Sequence, residues 1–152
     1  MEAFSRQLND ILVDTFRVIL KVEEEAIKQA EHDLSISEVH LLESVGKGEN
    51  TDRTISDIAE NLGITLPSVT IAINKLVKKG YVEKLKSTVD GRMVFVVLTE
   101  QGKKMEAAHR FFHERMVRNL SGDLNDEERE SLYYGMVKLN AFFKRKLLKK
   151  KQ

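Results

Sequence analysis

Between Thr65 and Lys75 the chain sets an unusual group of side chains on one face of a short amphipathic stretch. Thr65, Leu66, Pro67, Ser68, Thr70, Ile71, Asn74 and Lys75 point away from the apolar positions Val69, Ala72, Ile73 and Leu76. A solvated helix face ordinarily carries Glu and Lys, whereas this one carries short hydroxyls, an amide and methyl groups. Such side chains can approach base edges in the major groove of duplex DNA, where hydroxyls and amides pair with donors and acceptors and apolar atoms meet the thymine methyl. Lys75, Lys78 and Lys79 could hold phosphates, which adds affinity without sequence information. The competing reading is a face packed against another part of the protein.

A second group lies in "KSTVDGRMVFVVLTEQG", residues 86–102: a polar run with Asp-Gly at its tip, an apolar run, and a turn signal. Two strands, "YVEKLKS" and "RMVFVVLT", are expected to join across "TVDG", with Asp-Gly supplying the turn chemistry. Arg92 beside the tip suits a narrow A·T-rich minor groove, and Asp90 is expected to hold its guanidinium in place. Lys84 and Lys86 would run along phosphates. Taken alone, Asp90 and Arg92 read more readily as an exposed ion pair worth about 0–1 kcal/mol and carrying no function.

His109 and His113, four residues apart, share one helical face at a spacing that can bind zinc. No HExxH pattern accompanies them, and His32 and His40 lie far off in sequence. A structural or pocket-lining role is expected, with no metal and no cofactor. The sequence carries no glycine-rich phosphate loop, no nucleophile elbow and no carboxylate pair in a recognisable cleft, so no catalytic residue is assigned and no enzyme is expected.

The elements that must position these groups read as mainly α with a small β-hairpin. "TISDIAENLGITLPSVTIAINKLVKKGYVEKL", residues 54–85, has the pattern of a helix-turn-helix. Ile55, Ile58, Ala59 and Leu62 form the inner face of the first helix, Gly63 ends it, and Ile64 is expected to plug the corner. Thr65 caps the second helix, Pro67 sits in its first turn, and Gly80 stops it behind Lys78 and Lys79. The hairpin then reads as a wing. Upstream, "LSISEVHLLESVGKGEN" offers Ser35 or Ser37 as a cap, Val39, Leu41, Leu42 and Val45 as core, and a stop from Gly46 to Gly48. Residues 3–30 place Phe4, Leu8, Ile11, Leu12, Thr15, Ile19, Val22 and Ala26 at steps of three and four, a stripe too long to be buried against one small domain. Two more helices, about 100–120 and 126–148, are parted by "SGDLNDEE", where Asn125 or Asp126 can cap the second.

The 152 residues hold no cysteine and one proline, and 32% are charged, which fits a helical chain in a reducing cytoplasm. No apolar run approaches the ~18–20 residues that span a bilayer, and the first ten residues lack a leader pattern, so no membrane partner is expected. The net charge of +1 conceals a polarised chain. Residues 1–49 hold 5 basic and 11 acidic side chains, residues 50–104 hold 9 and 6, and residues 105–152 hold 11 and 7. The middle and the end could therefore meet an anionic partner.

Taken together these residues resemble the MarR family of winged-helix transcription regulators over nearly the whole chain. The family's wing pattern, Asp-x-Arg, then Leu-Thr, then Gly, stands here as Asp90, Arg92, Leu98, Thr99 and Gly102; "IAENLGI" and "SVTIAINKLVKKGYV" match its DNA-reading unit. The resemblance implies a homodimer divided as 1–34 (dimerisation helix), 35–100 (winged helix-turn-helix) and 101–152 (dimerisation helices), bound to double-stranded operator DNA. Interlocking helices would cover the first helix together with Phe111, Phe112, Met116, Leu132, Met136, Leu139 and Phe143. Many members carry arginine at the place of Ile71, so base preference should differ here. Through "ISEVHLLESVGK", "TLPSVTIAINKL" and "HRFFHERMV" the chain is also similar to the subgroup that represses fatty-acid-synthesis genes, whose corepressors are long-chain acyl groups on acyl carrier protein. Such an acyl tail needs an apolar slot, and the acidic carrier needs basic side chains at its mouth. His109, Arg110, Phe112 and His113 are the effector-site candidates, with Arg115 and Arg118 as further basic ones. The alternatives are a regulator of this type answering a different lipophilic or phenolic ligand, and a winged-helix module that binds protein.

Overall fold

Capping boxes start two of the helices that carry the fold. The Ser35 hydroxyl accepts the Glu38 N–H and the Glu38 carboxylate accepts the Ser35 N–H, opening α2 (Ile36–Gly46); Thr54 and Asp57 do the same for α3 (Ile55–Leu62). In this computed structural model, which describes residues 2–30, 33–47 and 53–149, the order is α1 (Ala3–Gln29), α2, β1 (Arg53–Thr54), α3, α4 (Leu66–Lys79), β2 (Val82–Lys86), β3 (Val94–Leu98), α5 (Glu100–Gly122) and α6 (Asp126–Lys149). The fold is mainly α with a small wing, as the sequence pattern implies. Gly48 and His32 lie outside the described residues.

Strand β1 had no signal in the sequence, because two residues carry no period. It pairs antiparallel with β3 (Arg53 opposite Val96, Thr54 opposite Phe95), giving a three-stranded sheet in the order β1-β3-β2. Strands β2 and β3 register from Val82 opposite Leu98 to Lys86 opposite Val94. The wing loop is longer than "TVDG". Ser87 N–H donates to Met93 O, Met93 N–H to Asp90 O, and the Ser87 hydroxyl accepts from Val89 and Asp90. Among the described residues the glycines with positive φ are Gly63 and Gly80, so Gly91 does not take the left-handed conformation that the Asp-Gly dipeptide suggests.

One core joins the elements. Val39, Leu42, Ile58, Val69, Ile73 and Leu76 are fully buried, and Ile27 from α1 and Met105 from α5 close the same cluster. Each such side chain contributes roughly 1.5–3 kcal/mol of transfer free energy. Ile64 does not plug the corner. At 46% exposure it lies outside, and the turn is held instead by backbone bonds from Gly63 and Ile64 to the last carbonyls of α3. Helix α1 turns Glu23 and Ile27 inward as its buried residues, while Phe4, Leu8, Ile11, Ile19 and Val22 of the apolar stripe stay exposed within the single chain. Helix α6, capped by a box between Asn125 and Glu128, has no buried residue among those described.

Candidate functional site

Helix α4 divides its residues sharply between two environments. Val69, Ile73 and Leu76 are sealed in the core, whereas Thr65, Leu66, Pro67, Ser68, Ile71, Asn74, Lys75 and Lys78 are exposed, Ile71 at 60%. Thr70 is half-buried, and its hydroxyl donates to Leu66 O at 3.0 Å, so its proton is already engaged within the helix. Thr65 accepts the Ser68 N–H, and the two hydroxyls bond each other at 2.8 Å, so both residues also build the helix start. Lys79 differs from its neighbours: its ammonium lies 2.9 Å from Glu38 and also donates to Asp33 O, pinning the end of α4 to the start of α2. Its charge is spent there rather than on an external phosphate. Burial pushes the Glu38 carboxyl up, but the Ser35 N–H and Lys79 outweigh it, and its pKa falls below the ordinary value.

The wing stands beside this face. Lys84 on β2 donates to the Asn74 carboxamide oxygen on α4 at 2.5 Å, a link between wing and helix that residue types alone did not reveal. Lys86, Asp90 and Arg92 are exposed. Asp90 reaches Arg92 through the main chain, its Oδ1 accepting the Arg92 N–H at 3.0 Å. Among the described residues no ion pair joins the two side chains, contrary to the expected hold on the guanidinium. The short loop explains this, because a carboxylate two residues ahead of an N–H closes an Asx turn at little entropic cost.

Thr99 and Gly102 fasten the unit to α5. The Thr99 hydroxyl accepts the Gly102 N–H and donates to Gly80 O at 2.6 Å. A Cβ on Gly102 would stand 2.0 Å from the Tyr81 carbonyl oxygen, so only glycine fits.

Farther along α5 the effector candidates meet partners that spacing along one helix could not show. His109 is buried, with Nδ1 2.6 Å from Glu43 and Nε2 3.7 Å from Glu23. His113 Nε2 lies 2.8 Å from the same Glu23 oxygen, and His40 Nε2 lies 3.6 Å from the other. His40, remote in sequence, is thus a neighbour in space. The hydrogen bond from His109 is the largest cause holding the Glu43 carboxyl below its usual range, against the effect of burial. Phe112 stacks on His109 at 6.2 Å, and Arg110 lies 3.8 Å from Glu106 at the edge of a cavity of about 500 Å³ shared with Glu43, His113 and Glu114. Arg115 and Arg118 line a smaller hollow of about 230 Å³ with Phe111. A more apolar groove of about 510 Å³ runs between Phe16 of α1 and Tyr133, Met136, Val137, Leu139 and Phe143 of α6. Among the described residues no helix is long and apolar enough to cross a membrane.

Residues 32–93 match the sequence profile of the MarR family. The solved structure of Streptococcus pneumoniae FabT in complex with DNA is similar over 93% of this chain and 98% of its own, at 30% identity and a TM-score of 0.88. The transcriptional regulator AdcR of Streptococcus pyogenes is 31% identical over 69% of this chain and 71% of its own length. An HTH-type transcriptional regulator of Bacillus subtilis, YfiV, is 36% identical over 54% of this chain, and the match spans about half, 51%, of that relative. A shared fold along almost the full chain, together with 30% identity to FabT and 31% to AdcR, leads to one assignment: the chain belongs to the MarR family.

Proposed function

We propose that the protein is a homodimeric, sequence-specific regulator of transcription that binds double-stranded operator DNA and acts as a repressor in the cytoplasm. The observation that carries this reading is the exposed face of α4, short in side chain and poor in acid, on a helix whose opposite face is sealed in the core. Ser68, Ile71 and Asn74 read base edges there, Thr65, Pro67 and Thr70 set the helix start against the groove, and Lys75 and Lys78 meet phosphates. Arg92 enters the minor groove, with Asp90 shaping its loop and Lys84 and Lys86 on the backbone. The FabT complex with DNA supports this reading.

The same reading makes α1, α5 and α6 the dimer interface, since the exposed stripe on α1 and the whole of α6 leave apolar surface that a single chain does not cover. Residues 1–34 and 101–152 then serve dimerisation, while 35–100 form the DNA-binding unit. The likeness to fatty-acid-synthesis repressors makes a long-chain acyl group on acyl carrier protein the corepressor we favour.

The test is operator binding measured across salt concentrations, with and without long-chain acyl carrier protein. A DNA reader loses affinity with a log-log slope near −0.9 per phosphate neutralised. A slope near zero would return the α4 face to protein docking, and an unmoved affinity with acyl carrier protein would remove that corepressor.

A further inference from the structure

We propose that Ile71 is a specificity-determining residue that seats against the C5-methyl group of one thymine in each half of the operator, so that the protein selects thymine there by apolar contact. The inference rests on the reading of α4 as the helix that enters the major groove.

Helix geometry puts Ile71 at the centre of the exposed face. Pro67 and Ser68 lie one turn before it and Asn74 and Lys75 one turn after it, at the three- and four-residue steps that share a face. Ile71 is 60% exposed, while Ile73, two residues on, is sealed in the core. A lone exposed isoleucine ordinarily needs no explanation. This one stands where the groove would be met most closely, and the pyrrolidine ring of Pro67 extends its apolar strip toward the helix start.

The polar neighbours have little left with which to discriminate. The Thr70 hydroxyl gives its proton to Leu66 O at 3.0 Å, the Thr65 and Ser68 hydroxyls bond each other at 2.8 Å, and the Asn74 carboxamide oxygen accepts from Lys84. A free asparagine recognises adenine by donating to N7 and accepting from the N6 amino group together; with its oxygen occupied, Asn74 keeps only the donor half of that pair. Helix α4 holds no arginine or glutamine to make a bidentate contact instead.

Choice among bases therefore falls to shape and apolar contact at Ile71. In the major groove the apolar group on the base edges is the thymine methyl. A β-branched side chain in a helix keeps one strongly preferred rotamer, so Ile71 offers that methyl a stiff surface and has little freedom to lose on contact. Thymine is favoured over every base that lacks the methyl.

Full-length protein selects duplexes from a pool of random sequence, and the best-bound duplex is remade with deoxyuridine, which is thymidine without the methyl group, at each thymine of both halves in turn. Affinity is read by fluorescence anisotropy. At one symmetric pair of positions uracil should weaken binding about fifteenfold, or about fourfold per half, as expected when one CH₂-sized group is returned to water; elsewhere the loss should stay under about twofold. Ile71→Ala, at an exposed position, should leave circular dichroism unchanged and bind the thymine and uracil duplexes equally. A change in DNA shape caused by the missing methyl would not disappear with that variant. A duplex whose every thymine accepts uracil without loss, or a uracil penalty that Ile71→Ala retains, overturns the inference and leaves the DNA-reading role of α4 standing. Failure of any duplex to enrich overturns both.

Discussion

The Lys84 ammonium on the wing strand donates to the Asn74 carboxamide on the reading helix at 2.5 Å, so two elements expected to touch DNA separately are joined before any DNA arrives. The bond occupies the Asn74 oxygen, so the NH₂ group is what that side chain has left to offer as a donor. In the proposed complex the two side chains therefore act as one unit. Lys84→Ala and Asn74→Ala should each weaken operator binding about tenfold, and the double variant should lose less than the sum, a non-additivity expected of contacting residues. Additive losses in a fluorescence-anisotropy cycle would show that the bond is irrelevant to binding.

Arg92 is exposed, and its main chain is held by Asp90 independently of the guanidinium. Arg92→Ala should reduce operator affinity while the melting temperature stays within a degree or two, as surface changes typically cost under about 0.5 kcal/mol. Unchanged affinity would remove the wing from recognition.

Gly102 offers the sharpest packing test. Gly102→Ala forces a methyl group against the Tyr81 carbonyl and should destabilise the chain by about 1–3 kcal/mol or more. Urea unfolding measures this, and a midpoint equal to that of the parent would contradict the close approach.

Acid should weaken the start of α2. Glu38 has a folded pKa below its ordinary 4.5, so its contribution is complete above that value and fades as pH drops through the lower folded value. Glu38→Gln keeps an oxygen for the Ser35 N–H but loses the ion pair with Lys79, so it should cost about 0.5–1 kcal/mol near neutral pH and should flatten the acid limb of the stability profile below pH ~4.5. Equal acid limbs in both proteins would exclude Glu38 as the titrating group.

Light scattering at micromolar concentration should give twice the chain mass. Phe16→Glu with Leu139→Glu, at the groove between α1 and α6, should shift the protein toward monomer. A parent protein that is already monomeric would refute the pairing, and with it the spacing of about 34–36 Å between two reading helices.

Much of this was legible in the sequence, and for identifiable reasons. Helix starts were readable at Ser35 and Thr65 because each satisfies N–H groups locally, and the inward face of α4 because its apolar residues recur at helical spacing. Lys79, Lys84 and Asn74 were readable as polar residues but not as partners, since their contacts cross 41 and 10 residues of chain. The cluster around Glu23 escaped for the same reason, its members lying far apart in the chain. Glu23, four residues before the buried Ile27, was the overlooked signal.

Thr99 and Gly102 give α5 no slack where it meets the end of the reading helix. At 1.5 Å per residue α5 is a rod of about 34 Å, and tilting it by about 5° moves its far end by roughly 3 Å. In a two-fold assembly such a pivot would make the protein a caliper: small rotations among the long helices would change how far apart the two tips sit, so the centre-to-centre length of the operator halves, more than any single base, would record the setting.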